Sequence, residues 1–296
     1  MTTSTLRGCG TALVTPFTRD GSVDERALRA LVDWQIDEGI HFLVPCGSTG
    51  EAATLSSAEH RRVVSIVVEQ ARGRVPVCAG AGSNDTRKAI ALSQEMKAAG
   101  ASHLLHVTPM YNKPPQRGLI AHFRAIADAV DLPIVVYNVP GRTGGNMEAR
   151  TTLELANLPN IVAVKEASGN LSQIGDILQR RPAGFSVLSG DDALTMSVMG
   201  AGGDGVISVV SNATPRAMAD LTNRMAAGDV AGALEIHNRL WTWMQTAFIE
   251  SNPIPVKRAL SMMGRIENVL RLPLVPLAEA HDGALRESLA AAEALQ

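Results

Sequence analysis

Short runs of β-branched and other apolar residues alternate along this chain with segments whose apolar residues recur at helical spacing. Eight of these runs predict strands, because a short apolar run bounded by glycine or proline is typical of a strand buried on both faces. They lie at residues 11–14, 42–46, 75–79, 104–107, 134–137, 161–165, 186–188 and 206–209.

The segments between the runs predict helices. One carries Leu28, Leu31 and Val32 at helical spacing, and another opens at residues 56–59 with Ser-Ser-Ala-Glu, the sequence of a capping box. Strands that alternate with helices favour a parallel sheet with right-handed crossovers, and eight such units are the number that a closed barrel requires. We therefore predict an α/β fold with a (β/α)8 TIM barrel.

The barrel is predicted for residues 1–220, with its active site at the C-terminal ends of the strands, where barrel enzymes place their chemistry. Residues 221–296 carry helical patterning without a clear strand. They predict a C-terminal helical region that packs on the barrel.

Composition and charge narrow the classes of function. The formal net charge of −2 over 296 residues provides no basic field for nucleic acid or an anionic membrane. No apolar run approaches the roughly 18 residues of a membrane span, and the N-terminus lacks a secretory signal pattern. Cys9, Cys46 and Cys78 show no C-x-x-C spacing and are interpreted as small buried hydrophobes. These features predict a cytoplasmic protein with reduced cysteines.

Lys165 ends the sixth run, in the sequence IVAVKEASGN. Lysine is almost never fully buried without a partner, so its position after four apolar residues needs an explanation. On a regular strand it would share a face with Ile161 and Ala163 and point into the mouth of the barrel. Without functional neighbours, the alternative is a lysine that extends its charged end from the strand into solvent.

The neighbouring strand ends favour a chemical role for this lysine. The chain has two tyrosines: Tyr111 follows the fourth run, and Tyr137 ends the fifth. Ser48 and Thr49 lie in a glycine-flanked turn after the second run. Singly, each has a structural explanation, as a packed ring or as a turn that needs glycine. Together, an amine, phenols and a cradle for a carboxylate suit Schiff-base chemistry on a keto acid.

Seven motifs, in chain order, resemble those of the dihydrodipicolinate synthase / N-acetylneuraminate lyase family of pyruvate-dependent class I aldolases: GSTGEAATLS, TPMYNKP, YNVPGRTG, VAVKEASGN, LSGDD, GDGVISV and NPIPVK. The resemblance implies that Lys165 forms a Schiff base with pyruvate and that Tyr137 transfers protons. It also implies that Thr49 binds the pyruvate carboxylate, with the Ile207 backbone and Gly190 beside the substrate. No cofactor and no metal is implied.

The resemblance further implies a homotetramer built as a dimer of dimers. In such an assembly Tyr111 reaches across a subunit contact and completes a proton relay through Ser48 to Tyr137. Metal-dependent aldolase chemistry is disfavoured, because His103 and His106 lie on opposite faces of one strand. Asp191 and Asp192 are interpreted as helix caps and not as metal ligands.

Arg142 favours the synthase branch of this family, in which the matching arginine binds the carboxylate of L-aspartate-4-semialdehyde. The expected reaction condenses pyruvate with this aldehyde to 4-hydroxy-tetrahydrodipicolinate, in lysine and diaminopimelate biosynthesis. Ser48 departs from the usual threonine of the synthases and matches the lyases. A Schiff-base aldolase or lyase for a sugar acid or another 4-hydroxy-2-oxo acid therefore remains an alternative. A non-catalytic barrel that binds a keto acid is a third.

Some members of the family are inhibited by L-lysine at a contact between two subunits. His60 and Asn84 match residues of that pocket, whereas Lys88 stands where a glutamate is expected. Met110 replaces a tyrosine, and Ser57 replaces a histidine. These departures predict a weak response to lysine. The sequence Gly200–Gly205 also matches G-x-G-x-x-G, but it precedes a strand and does not open a helix, which excludes a dinucleotide-binding interpretation.

Overall fold

Eight parallel strands form a single sheet within residues 5–295, the part of the chain that this computed structural model describes. The order in the sheet is β2-β1-β8-β7-β6-β5-β4-β3. A parallel bridge between Leu43 in β2 and Val77, just before β3, joins the two ends of this order and closes the barrel. The predicted (β/α)8 barrel is thereby confirmed. The strands are β1 Gly8–Ala12, β2 Phe42–Val44, β3 Cys78–Gly80, β4 His103–Val107, β5 Ile134–Asn138, β6 Ile161–Glu166, β7 Ser186–Ser189 and β8 Gly205–Ser208.

Within the described residues, α-helices connect successive strands, and four more α-helices follow the last strand. The connecting helices are α1 Glu25–Asp37, α2 Ser57–Ala71, α3 Thr86–Ala98, α4 Gln116–Ala129, α5 Pro140–Thr143, α6 Ala149–Leu155, α7 Leu171–Arg180 and α8 Thr195–Gly200. The later ones are α9 Pro215–Ala226, α10 Val230–Thr246, α11 Ile254–Met262 and α12 Asp282–Ala291. Ser56 and Glu59 form the predicted capping box at the start of α2. None of the described helices is long and apolar enough to cross a membrane.

The apolar residues form two clusters separated by the sheet. The larger cluster fills the space between the strands and the surrounding helices. The smaller one fills the barrel interior and includes Phe42, Val44, Leu105, Leu188 and Ile207. Side chains therefore pack the barrel interior, and the cavity that contains Lys165 opens at the C-terminal ends of the strands.

Strand β1 begins at Gly8, three residues before the predicted run. The run did not include Gly8 and Gly10, because glycine is uncommon in strands. A Cβ atom on Gly10 would lie 2.0 Å from Cε2 of Phe42, so the Phe42 ring occupies the place of a side chain at this position. Gly8 has a φ of +76°, which favours glycine. Glycine is required here by close packing and by backbone conformation.

Strand β6 carries an irregularity that changes which residues face the barrel interior. Its register with β5 shifts between Ile134 and Val135, so that Ile134 pairs with Ile161 but Val135 pairs with Ala163. As a result Ile161 packs in the outer cluster, whereas Ala163 lies in the interior. The expectation that Ile161 shares a face with Lys165 was wrong, because a regular strand was assumed.

The division of the chain at residues 220 and 221 stays a prediction. The described residues after β8 contain helices and no strand, and the proposed boundary falls inside α9, which packs against β1. Residues 1–4 and 296 of the two predicted segments lie outside the described residues.

Candidate active site

Lys165 and Tyr137 are direct neighbours at the mouth of the barrel. They pair across the parallel strands β6 and β5, and the Lys165 Nζ atom lies 4.2 Å from the centroid of the Tyr137 ring. Lys165 is 5% exposed and Tyr137 is 6% exposed. The register of two strands therefore places an amine and a phenol in one water-poor site.

Burial changes the proton affinity of both groups. It lowers the pKa of Lys165 to about 8, with a further lowering by Arg142 that Asp192 and Cys78 oppose. Burial also raises the pKa of Tyr137 to about 12. A low dielectric disfavours the charged form of each group. The site thus holds a lysine that can lose its proton near neutral pH and a tyrosine that keeps its own.

A cavity of about 320 Å³ opens above these two side chains. Six of the eight predicted site residues line it: Lys165, Tyr137, Ser48, Thr49, Arg142 and Gly190. They come from four different strand ends, which only the closed barrel brings together. The volume suits a small organic acid and not a dinucleotide.

The turn after β2 contributes Ser48 and Thr49 to the lining of this cavity. Within residues 5–295, the backbone N–H groups of Ser48 and Thr49 donate to no acceptor. The Thr49 side chain is buried, whereas Ser48 is exposed. Two amides without an acceptor beside a buried hydroxyl suit a carboxylate, and the cradle that the sequence predicts here stays a prediction.

Two further predicted residues shape the rim and the wall of the cavity. The exposed Arg142 donates from Nη2 to the main-chain oxygen of Asn252 at 3.1 Å. At Gly190, a Cβ atom would lie 3.1 Å from Cε of Lys165 and 2.6 Å from Cβ of Ala167. Glycine is therefore favoured at position 190, because a side chain would push against Lys165 and Ala167.

Tyr111 and Ile207 are not among the residues that line the cavity in the described part of the chain. Tyr111 is 89% exposed with a φ of +72°, an unusual conformation for a bulky residue. Ile207 is fully buried in the barrel interior. The predicted roles of both residues remain predictions.

The interpretation of Asp191 and Asp192 as helix caps was wrong. Helix α8 begins only at Thr195, and Leu194 is the residue that precedes it. Asp192 is instead buried, and its Oδ2 atom accepts hydrogen bonds from the N–H groups of Val209 and Val210 at 3.0 and 3.2 Å. Burial raises the pKa of Asp192 to about 6. The carboxylate thus holds the end of β8 and carries charge near Lys165.

Sequence reasoning missed the contribution of the C-terminal region to the site. Met244, Gln245 and Phe248, in or just after α10, line the cavity together with Asn252. Asn252 begins the NPIPVK motif, which was recognised without a role. Its signal was present in the sequence, but its partner Thr49 lies 203 residues away in the chain.

Comparisons with known proteins agree with this geometry. The model of the dihydrodipicolinate synthetase family matches residues 5–292. The 4-hydroxy-tetrahydrodipicolinate synthase of Koribacter versatilis is 52% identical over 292 residues, which are 98% of this chain and 97% of that protein. The dihydrodipicolinate synthase structure from Thermotoga maritima superposes with a TM-score of 0.97 at 43% identity, covering 99% of this chain and 100% of the other. The pyruvate complex of the Acinetobacter baumannii synthase gives a TM-score of 0.97 at 43% identity and covers 98% and 100%.

Proposed function

The chain belongs to the dihydrodipicolinate synthetase family, and we propose that it condenses pyruvate with L-aspartate-4-semialdehyde to 4-hydroxy-tetrahydrodipicolinate through a Schiff base on Lys165. This is a lyase of the class I aldolase type that acts in lysine and diaminopimelate biosynthesis. The observation that carries the mechanism is the pairing of a buried Lys165 with Tyr137 at the mouth of the barrel.

Burial prepares the Lys165 amine to act as a nucleophile. With a pKa of about 8, roughly one molecule in ten carries the neutral amine at pH 7, against about one in 2,500 for an ordinary lysine. The neutral amine attacks the ketone carbon of pyruvate, and loss of water gives the imine. The imine withdraws electrons from the adjacent methyl group, so that this carbon loses a proton and becomes the nucleophile towards the aldehyde.

Tyr137 supplies the positioned hydroxyl that these proton transfers need. Its ring lies beside the Lys165 nitrogen, and its raised pKa keeps the phenol protonated at neutral pH. A protonated phenol donates to the carbinolamine oxygen as water leaves and receives a proton in a later step. Ser48 lines the same cavity and is the proposed next member of the relay.

Two carboxylates require two binding positions. The Thr49 hydroxyl and the free N–H groups of Ser48 and Thr49 suit the carboxylate of pyruvate, which must lie deep, beside the lysine. Arg142 at the rim suits the carboxylate of the aldehyde, which enters second and meets the enamine from the open side. A guanidinium recognises a carboxylate through two parallel hydrogen bonds.

The test has two parts. Pyruvate with borohydride should attach one reduced pyruvate per chain, located on Lys165 by peptide mapping, and Lys165→Ala should remain unlabelled. Turnover with pyruvate and L-aspartate-4-semialdehyde is then compared with cleavage of a panel of keto-deoxy sugar acids. Because Ser48 matches the lyase branch, faster turnover of a sugar acid would replace the synthase assignment, whereas labelling elsewhere would remove the imine mechanism.

We infer a homotetramer in which Tyr111 of one subunit completes the active site of another. The Tyr111 side chain is exposed to solvent and does not line the cavity of its own chain. This supports a role in the active site of a neighbouring subunit. A mixture of Tyr111→Ala and Lys165→Ala subunits tests this. If the sites are shared, a mixed dimer has one site with both residues intact and one site that lacks both, so activity is partly restored. Activity that stays at the sum of the separate variants would place Tyr111 in its own subunit or outside the mechanism.

A cytoplasmic location is part of the same proposal. All three cysteines are buried as free thiols, as suits a reducing compartment. Fractionation of the source cells with activity measured in each fraction tests the location.

A further inference from the structure

Asn252 contacts both of the residues proposed to bind the substrate carboxylates. Its side-chain Nδ2 donates to Thr49 Oγ1 at 2.8 Å, and its main-chain oxygen accepts from Arg142 Nη2 at 3.1 Å. The residue is 6% exposed and lines the 320 Å³ cavity. One residue of the C-terminal region therefore reaches the two positions through different atoms.

The hydrogen bond to Thr49 fixes the direction of a proton. An amide nitrogen can only donate, so Thr49 Oγ1 is the acceptor in this contact and its own O–H points elsewhere. Within the described chain the contact with Asn252 is the only hydrogen bond of that hydroxyl. The Thr49 proton is consequently left for a ligand in the cavity, and a carboxylate is the acceptor that the neighbouring free N–H groups also suit.

The orientation of the amide supports this assignment. Asn252 Oδ1 is buried without a hydrogen-bond partner among residues 5–295. If oxygen and nitrogen were exchanged, the nitrogen would occupy this position and leave buried N–H groups unpaired, which is less tolerable than an unpaired carbonyl oxygen. The observed orientation is thus the one that keeps Thr49 as a donor towards the cavity.

We infer that Asn252 is a positioning residue that acts through Thr49, by holding its hydroxyl as a hydrogen-bond donor to the carboxylate of the keto acid. This inference rests on the proposed function. Because Arg142 is bound by the main-chain oxygen, a substitution of the Asn252 side chain leaves that contact in place. The side chain should therefore affect the binding of pyruvate and leave the binding of the second substrate unchanged.

Asn252→Leu removes the donor while keeping a similar shape. We expect the pyruvate concentration for half-maximal turnover to rise about fivefold, the loss of roughly one hydrogen bond. The KM for the semialdehyde and kcat, both at saturating pyruvate, should change less than about twofold. A general disturbance of the site would change all three, so this separation distinguishes positioning from structural damage.

A double-mutant cycle identifies Thr49 as the group through which Asn252 acts. The effect of Asn252→Leu should persist in a Thr49→Ser background, which keeps the hydroxyl, and should vanish in Thr49→Val, which lacks it. If Asn252→Leu does not fold, Asn252→Asp serves instead, since an ionised carboxylate accepts the Thr49 proton. Its effect must then be larger with Thr49→Ser than with Thr49→Val.

The outcomes separate this inference from the function on which it rests. If wild-type protein does not trap pyruvate on Lys165, the proposed function is wrong, and so is the inference that rests on it. If wild type traps pyruvate and forms product, but Asn252→Leu leaves the half-saturation unchanged, the inference alone is wrong. It is equally wrong if the effect is the same in the Thr49→Val and Thr49→Ser backgrounds.

Discussion

The Lys257 Nζ atom lies 2.6 Å from Oε1 of Glu51, and both side chains are completely buried. Lys257 also donates to the main-chain oxygen of Thr15 at 2.9 Å, and Glu51 Oε2 accepts from the N–H of Arg271 at 3.2 Å. Glu51 lies two residues after Thr49 and has a φ of +53°. This ion pair therefore ties the proposed carboxylate cradle to helix α11.

Lys257→Met should strongly destabilise the protein, because it leaves the Glu51 carboxylate buried without a counter-charge. We expect a loss of about 3–5 kcal/mol in the free energy of unfolding, measured by urea denaturation. The double variant Lys257→Met/Glu51→Gln should lose less than the single one, since it removes the unpaired charge as well. Equal losses would show that the packing of the lysine chain, and not its charge, is what matters.

This pair illustrates what the sequence could not predict. Lys257 belongs to a motif that was recognised, and Glu51 belongs to another, but 206 residues separate them and no local pattern pairs them. Their proximity follows from how the helices after β8 return to the barrel mouth. Burial of both charges is likewise a property of the assembled fold.

Arg142→Ala should keep pyruvate trapping on Lys165 but impair condensation with the semialdehyde. Arg142 is exposed in the structure, so the larger loss expected for a buried ion pair does not apply. We expect a loss of about 2 kcal/mol in transition-state stabilisation, roughly 30-fold in kcat/KM for the semialdehyde.

The matched variant is Arg142→Lys, which keeps the charge but not the planar pair of donors. It should fall between wild type and Arg142→Ala. Near-normal condensation by Arg142→Ala would place the aldehyde carboxylate elsewhere and favour the sugar-acid alternative.

The rate of imine formation should rise with pH and level off above about 8, the lowered pKa of Lys165. Below this pH the amine carries a proton and cannot attack pyruvate. Asp192 raises this pKa and Arg142 lowers it. Asp192→Asn should therefore move the rising limb to lower pH, and Arg142→Ala should move it to higher pH. Rapid-quench borohydride trapping across a pH series measures the limb, and a limb that both variants leave in place would contradict these electrostatic contributions.

The fold followed from the sequence because it depends on periodicity, and most of the predicted site residues reach the cavity because they lie at strand ends or in motifs that resemble those of a known family. All eight strands lie at or within three residues of a predicted run, and six of eight predicted site residues line the cavity. The errors arose where the backbone departs from a regular element. The register shift in β6 turned Ile161 outward, and the late start of α8 gave Asp192 a different role. Neither departure has a sequence signal.

L-Lysine is expected to inhibit this enzyme weakly. Lys88 lies exposed in the first turn of α3, where the inhibited relatives of this family are expected to carry a glutamate. Met110 and the buried His60 line a second cavity of about 510 Å³, and Met110 cannot supply the hydrogen bond of a phenol. Lys88 is not among the residues that line this cavity, so its effect rests on the resemblance, which implies that position 88 faces the ammonium of bound lysine.

A like charge about 4 Å from the ammonium costs roughly 1–4 kcal/mol, so we expect less than half-inhibition at about 1 mM lysine with pyruvate near half-saturation. Lys88→Glu is the matched variant, because it reverses the charge on an exposed helical residue that does not line the cavity with Lys165. It should lower the inhibitory concentration at least tenfold while leaving uninhibited turnover unchanged. Strong inhibition of the wild type, or a Lys88→Glu variant no more sensitive than wild type, would show that position 88 does not face the ligand and that lysine, if it binds, does so through other residues.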